Sequence, residues 1–96
     1  MFVRIARFEG SAENADQTIS QIREQAGQGP PPGLEGAKRV MMLVDRENNR
    51  GLGITFFESE EEMRRGDEAL NEMTPQGGGR RTGVEFYEVG LDLDTA

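Results

Sequence analysis

The sequence predicts an α+β domain of ferredoxin-like order, βαββαβ, with a four-stranded antiparallel sheet and two helices on one of its faces. Three observations support this prediction. Four segments are rich in β-forming residues, two intervening segments repeat apolar residues at spacings of three and four, and a short turn joins the second and third strands as a hairpin. Because such crossovers are right-handed, both helices are expected on the same face, with the strands in the spatial order 4-1-3-2.

The first strand and the first helix are predicted from the spacing of their apolar residues and from the residues that begin and end each element. Residues 2–8 alternate between the two sides of a strand and end before Gly10. Ser11 is a suitable N-cap, and Gly27 is a suitable stop. The helix between them carries one narrow apolar stripe, made by Ala12, Ala15, Ile19, Ile22 and Ala26. This pattern is typical of a surface helix that lies on a sheet.

The middle of the chain predicts an ordered loop followed by a hairpin. Residues 27–36 contain three consecutive prolines and four glycines, which neither a helix nor a sheet tolerates. Residues 40–44 are a continuous apolar run and form the second strand. Residues 47–51 are a turn whose asparagines accept positive φ, and residues 52–57 form the third strand.

A capping box begins the second helix, with Ser59 at the N-cap and Glu62 at the third helical position. Its apolar stripe contains Gly66, for which a close approach of helix and sheet is one explanation. The helix is expected to end at Thr74 and Pro75. Residues 76–79 are then a loop, residues 82–89 a fourth strand, residues 1–91 one domain, and residues 92–96 an acidic C-terminal tail.

The sheet face without helices is expected to be apolar rather than polar. All four strands offer apolar side chains on both sides, and we place Phe2, Phe8 and Phe57 on the open side. These side chains would form an exposed apolar patch of more than about 400 Å², which is unusual on a monomer. The chain is also short, with 34% apolar residues and no cysteine for a disulfide. These observations predict a homodimer that buries the open face of the sheet.

Composition excludes several kinds of chemistry. The sequence contains no cysteine and no histidine, which rules out thiolate and histidine catalysis, ordinary zinc sites and histidine-ligated haem. We expect no cofactor and no metal. A formal charge of −7 argues against nucleic-acid binding, which needs a basic surface. No membrane segment or signal peptide is recognisable, so we expect a cytoplasmic protein.

Several residues together resemble the dimeric α/β-barrel superfamily, in particular its antibiotic-biosynthesis-monooxygenase-like domains. They are the Arg4–Gly10 opening, Gly33 and Gly36 before the second strand, Val44-Asp45 before the turn, and the Phe56–Glu61 junction. The resemblance implies a homodimer whose sheets face each other, with a pocket between sheet and helices in each subunit. It also implies that this chain departs from the catalytic branches, because the haem-degrading type uses a histidine ligand and an Asn-Trp pair, and the sequence has neither histidine nor tryptophan.

Four residues are candidates for lining a ligand pocket. Arg4 lies among apolar neighbours, on the side that we take to face the barrel, and a charge there needs an acidic side chain or an anionic ligand as its partner. Thr55 and Phe57 would line the same cavity, and Tyr87 could bind a ligand or act as an acid. A structural ion pair for Arg4 and a core position for Tyr87 are the competing interpretations.

Composition and resemblance leave two functions open. The shortage of catalytic side chains favours a non-catalytic or small-ligand-binding dimeric domain, with a small apolar or aromatic molecule as ligand. The alternative is a cofactor-independent monooxygenase that acts on an aromatic or polyketide-like molecule. Whether the protein is an enzyme is therefore undecided by the sequence.

Overall fold

The computed structural model describes residues 1–10, 15–30, 32–72 and 80–95. The elements are β1 (Phe2–Glu9), α1 (Ala15–Ala26), β2 (Ala37–Asp45), β3 (Arg50–Phe57), α2 (Glu60–Glu72) and β4 (Arg80–Glu88). The strands form one antiparallel sheet in the order β2-β3-β1-β4, which confirms the predicted topology. The predicted N-cap Ser11, the helix stop at residues 74–75 and the loop at 76–79 lie outside the described residues.

The alternation within each strand is as predicted, but the assignment of the two faces is wrong. Phe2 pairs with Phe57, and Arg4 pairs with Thr55, so these side chains share one face of the sheet. Phe57 is fully buried and lies against Gly66 of α2, which shows that this face is the one the helices cover. The open face instead carries the other set of residues: Val3, Ile5, Met41, Leu43, Leu52, Ile54, Phe56 and Tyr87.

Helix α2 packs closely on the sheet because it carries a glycine at the contact. A Cβ atom on Gly66 would lie 2.6 Å from Cε1 of Phe57, which leaves no room for a larger residue. Phe57, Met63 and Leu34 form the buried core, with Phe2, Ala37, Ala69 and Leu70 packed around them. The close approach inferred for Gly66 is therefore confirmed.

The start of α2 and the loop before β2 are fixed by local chemistry. Ser59 Oγ accepts a hydrogen bond from the backbone N–H of Glu62 at 3.1 Å, as the capping box requires. Gly33 has φ of +90°, and a Cβ there would lie 2.7 Å from Cβ of Ala69. The loop thus rests on α2 where only glycine fits, and it places Leu34 in the core.

The hairpin has the geometry that its asparagines predict. Asn49 is the one non-glycine residue with positive φ among the described residues, at 54°. Asp45 accepts hydrogen bonds from the side chain and backbone of Asn48 and pairs with Arg50 at 3.0 Å. These contacts, chiefly the one from the Asn48 side chain, lower the pKa of Asp45. Strand β2 begins at Ala37, earlier than predicted, with a shift of register between Ala37 and Arg39.

Helix α1 packs less closely than α2. Ala15 is fully buried and Thr18 is buried, but Ile22 remains 37% exposed and Ala26 is exposed. The predicted apolar stripe therefore faces the sheet without filling the space above it. Neither helix, in the ranges that are described, has the length and apolar character needed to cross a membrane.

Candidate functional site

A cavity of about 540 Å³ lies on the helix-covered face of the sheet. Helix α1 forms one wall through Thr18, Ile22, Gln25 and Ala26. The floor comes from the middle of β1, β2 and β3, and the loop before β2 closes one side. The space exists because α1 stands away from the sheet where α2 does not, and because two glycines of β3 add no side chain to the floor.

Most of the cavity surface is apolar. The apolar residues that line it come from all the surrounding elements: Ala6, Phe8, Ile22, Ala26, Pro30, Leu34, Ala37, Val40, Met42 and Leu70, together with Met41, Leu52 and Ile54, whose side chains lie on the open face. Val40 is 62% exposed although it faces this space. A concave, mostly apolar surface with a few polar groups is typical of a small-molecule site.

One end of the cavity carries a network of charged and polar groups. Arg4 is only 4% exposed, and its Nε donates to Oδ1 of Asp67 at 2.8 Å. Its Nη2 donates to Oδ1 of Asn71 at 3.3 Å, and Nη1 of Arg81 donates to the same oxygen at 2.7 Å. Asn71 completes the network by donating from Nδ2 to Oδ2 of Asp67 at 3.3 Å.

A lone hydroxyl group adds a further polar feature to the cavity wall. Thr18 is 6% exposed, and its Oγ1 is buried without a hydrogen-bond partner among the described residues. A buried hydroxyl with no partner costs about 1–3 kcal/mol. A polar group of a ligand that formed a hydrogen bond with the Thr18 hydroxyl would remove this cost.

The structure places the four predicted pocket residues in three environments. Arg4 and Thr55 both line the cavity, but on the helix-covered face rather than the side predicted for Arg4. Phe57 shares that face and lies in the packed core beneath Gly66. Tyr87 lies on the opposite face beside Val3 and is 51% exposed, so it is neither in the core nor near the cavity. A role in ligand binding stays a prediction for each of them.

Four polar residues of this site were not predicted from the sequence. Asp67 and Asn71 occupy successive turns of α2, and Asp67 interrupts the apolar stripe between Met63 and Leu70. That interruption was the available signal for the partner of Arg4. Arg81 belongs to the adjacent basic pair Arg80-Arg81, a pattern that is usual on a solvated surface. No pattern marks Thr18, whose isolation depends on how α1 sits on the sheet.

The cavity can bind but offers little for catalysis. Its lining, within the described residues, contains two arginines, two threonines and a glutamine as polar side chains, with no carboxylate or tyrosine to act as a base. No cluster of metal-ligating side chains is found in the described ranges. The arrangement can enclose a mostly apolar molecule and donate hydrogen bonds to a polar group on it.

Element order and sheet topology define a ferredoxin-like βαββαβ fold with a cavity between sheet and helices, and similar solved structures show that it is the fold of an antibiotic-biosynthesis-monooxygenase-like domain. Neither a protein-family model nor a curated protein matches the sequence. Solved structures do match, over nearly the whole chain and at low identity. The similarity therefore establishes the fold.

Three solved structures illustrate the match. A mutant of MhuD with two manganese protoporphyrin IX molecules bound per active site has a TM-score of 0.65 and 19% identity, covering 98% of this chain and 99% of that one. MhuD from Mycobacterium tuberculosis, described as a heme-degrader with two hemes bound in its active site, has a TM-score of 0.60 and 20% identity over 98% and 100%. A proposed antibiotic biosynthesis monooxygenase from Deinococcus radiodurans has a TM-score of 0.57 and 15% identity over 100% and 99%.

Proposed function

We propose that this protein binds a small apolar or aromatic molecule in the cavity between α1 and the sheet, and that it does so without catalysing a reaction. The observation that carries the proposal is the cavity itself, about 540 Å³ and mostly apolar. The rest of the same sheet face is tightly packed under α2, so the space is confined to one half of the domain.

The bound molecule is proposed to be free of metal. The MhuD structures hold heme or manganese protoporphyrin IX. This chain has no histidine or cysteine to ligate a porphyrin iron. An aromatic molecule of smaller size, held by its apolar surface, fits the lining better than a metalloporphyrin.

We also propose that the protein is a homodimer that buries the open face of its sheet. Apolar side chains form the centre of that face, and the pair Arg7–Glu85 together with Arg39 lies toward its margins. An apolar centre with a polar rim is the usual composition of a protein interface. A cytoplasmic location stays a prediction.

The dimer is tested by sedimentation velocity on two variants. Ile54→Lys places a charge at the centre of the open face, between Ile5 and Met41, and should yield monomers, because the charge would be buried in the interface among apolar neighbours. Leu91→Lys changes an apolar residue that is 77% exposed in the C-terminal segment and should leave the dimer intact. A wild-type protein that sediments as a monomer at micromolar concentration would refute this proposal.

Ligand binding is tested with the neutral fluorescent probe N-phenyl-1-naphthylamine. The wild type should enhance its fluorescence in a saturable manner. Gly53→Leu adds a side chain to the cavity floor and should weaken binding about tenfold or more, since the probe and the leucine compete for the same space.

Gly83→Leu is the matched control for this experiment. It makes the same change in β4, where a Cβ has nothing within 4 Å, and should leave the affinity for the probe unchanged. Equal affinities for all three proteins would show that the probe binds elsewhere and would contradict the proposed site. Oxygen uptake with anthrone-type substrates distinguishes binding from monooxygenase activity, and turnover would replace our proposal by the enzymatic one.

A further inference from the structure

We propose that the ligand of this cavity is a hydrophobic acid, whose anionic group binds between Arg4 and Arg81. This inference rests on the proposed function and specifies the chemistry of its ligand. Arg4 and Arg81 both line the cavity, one from β1 and one from β4. A carboxylate at this end would let the rest of the molecule lie along the apolar floor.

The two guanidinium groups are neighbours because they donate to the same atom. Oδ1 of Asn71 accepts from Nη2 of Arg4 at 3.3 Å and from Nη1 of Arg81 at 2.7 Å. Asn71 is neutral, so it brings two positive charges together without cancelling either of them. Like charges held this close repel each other unless a negative group lies between them.

The negative charge available at this end is incomplete. Asp67 is the single carboxylate in the network, and it binds Arg4 at 2.8 Å. Among the described residues, Arg81 has no ion-pair partner, whereas its neighbour Arg80 pairs with Glu9 at 3.3 Å. Two arginines and one aspartate leave a charge of one in excess, which an anionic ligand would neutralise.

Burial strengthens the contribution of Arg4, whereas Arg81 is exposed and reaches the network from the surface. Arg4 is 4% exposed, and a hydrogen bond to a charged donor is stronger where water is excluded. The cavity lining carries two arginines and no carboxylate, although the whole chain has a formal charge of −7. The positive end of the cavity is thus a local exception in an acidic protein, which favours selective binding of an anion at this place.

The apolar lining determines the rest of the ligand. Val40 and Met42 share the face of Arg4, and Leu70 of α2 lies close to the charged end. These side chains offer no polar group to a ligand, so the part of the molecule that lies against them must be hydrocarbon or aromatic. A planar aromatic acid or a short-chain lipid acid satisfies both ends of the cavity.

The test compares two probes of similar shape that differ in charge. 8-Anilino-1-naphthalenesulfonate carries an anionic sulfonate, and N-phenyl-1-naphthylamine is its neutral counterpart. Arg81→Gln should weaken binding of the anionic probe about tenfold and leave the neutral probe unchanged, because a charge-assisted hydrogen bond is lost. Arg81→Lys should restore most of the affinity for the anion, because it restores the charge.

Arg80→Gln is the control for net charge. It removes the same formal charge from the adjacent residue, which lies outside the cavity lining, and should change neither affinity. Displacement of the anionic probe by 1-naphthoate but not by 1-naphthamide would extend the result from a sulfonate to a carboxylate.

The outcomes separate this inference from the proposed function. If the neutral probe binds in the cavity but Arg81→Gln leaves the anionic probe unaffected, the hydrophobic-acid inference is wrong and small-molecule binding stands. The same conclusion follows if Arg80→Gln and Arg81→Gln weaken the anionic probe equally, since the effect would then be general charge. If neither probe binds the wild type, the proposed function fails first.

Discussion

The two helices cover the same face of the sheet and treat it differently. Under α2, the sheet is packed until a methyl group no longer fits at Gly66, and Phe57 is fully buried. Under α1, Ile22 stays 37% exposed and a cavity of about 540 Å³ remains. The half of this face under α2, the packed half, therefore holds the fold together. The half under α1, the open half, has room for a ligand.

The charged network lies on the border between these halves. Arg4 projects from β1 toward Asp67 and Asn71 of α2, and it also reaches the cavity. The packed half thus positions the polar groups that the open half uses.

The largest expected effect is the difference in stability loss between two substitutions, one in the packed half and one in the open half. Phe57→Ala should lower the free energy of unfolding by about 3–5 kcal/mol, because it leaves a cavity in the core. Ile22→Ala, a change of similar kind on α1, should cost about 1 kcal/mol or less, since its loss of apolar contact is small and alanine favours the helix. Urea unfolding at one fixed protein concentration measures both values.

If the two losses were equal, α1 would contribute to the core as much as α2, and the contrast between the halves would disappear.

The binding experiments give a second comparison. Ile22→Ala enlarges the cavity and should retain binding of the neutral probe, whereas Phe57→Ala acts on binding only through stability.

A smaller effect is expected for Gly66→Ala. The added methyl group would overlap the ring of Phe57, at a cost of about 1–3 kcal/mol, and alanine would return about 1 kcal/mol through its helix propensity. We therefore expect a net loss of up to about 2 kcal/mol in the free energy of unfolding. Gly83→Ala, where a Cβ meets nothing within 4 Å, should change it by less than about 0.5 kcal/mol.

A double mutant identifies the cause of this loss. In a Phe57→Leu background the ring is gone, so the further change Gly66→Ala should cost less than it does in the wild type. Additive losses in the double mutant would mean that the methyl group disturbs something other than the contact between Gly66 and Phe57.

The fold could be predicted from the sequence because its signals are local. The hairpin turn and the N-cap at Ser59 depend on residues close by in the sequence. The glycine at position 66 indicated a close contact between helix and sheet, which Phe57 makes. The choice of the helix-covered face could not be predicted, because every strand carries apolar residues on both sides and alternation alone is symmetric. For this reason Arg4 was predicted on the open face, whereas it lies on the helix-covered face.

The site was predictable only in part, for a related reason. Arg4 was recognisable, because a charge among apolar strand residues requires a partner. Its partner Asp67 was present as a polar residue within the apolar stripe of α2, a signal that has meaning only once the helix is placed over β1. The cavity depends on how far α1 stands from the sheet, a quantity that no residue pattern encodes.

The smallest effect concerns the hydroxyl of Thr18, which faces the open half. Thr18→Val keeps the shape of the side chain and removes a buried group that has no partner among the described residues. We expect the free energy of unfolding to stay the same or rise by up to about 1 kcal/mol, because an unsatisfied buried hydroxyl is unfavourable. Thr82→Val, whose exposed hydroxyl donates to the backbone oxygen of Arg7 at 3.4 Å, is the control and should be neutral or slightly destabilising. A clear loss of stability in Thr18→Val would mean that α1 relies on this hydroxyl, and the open half would then be more tightly held than its cavity indicates.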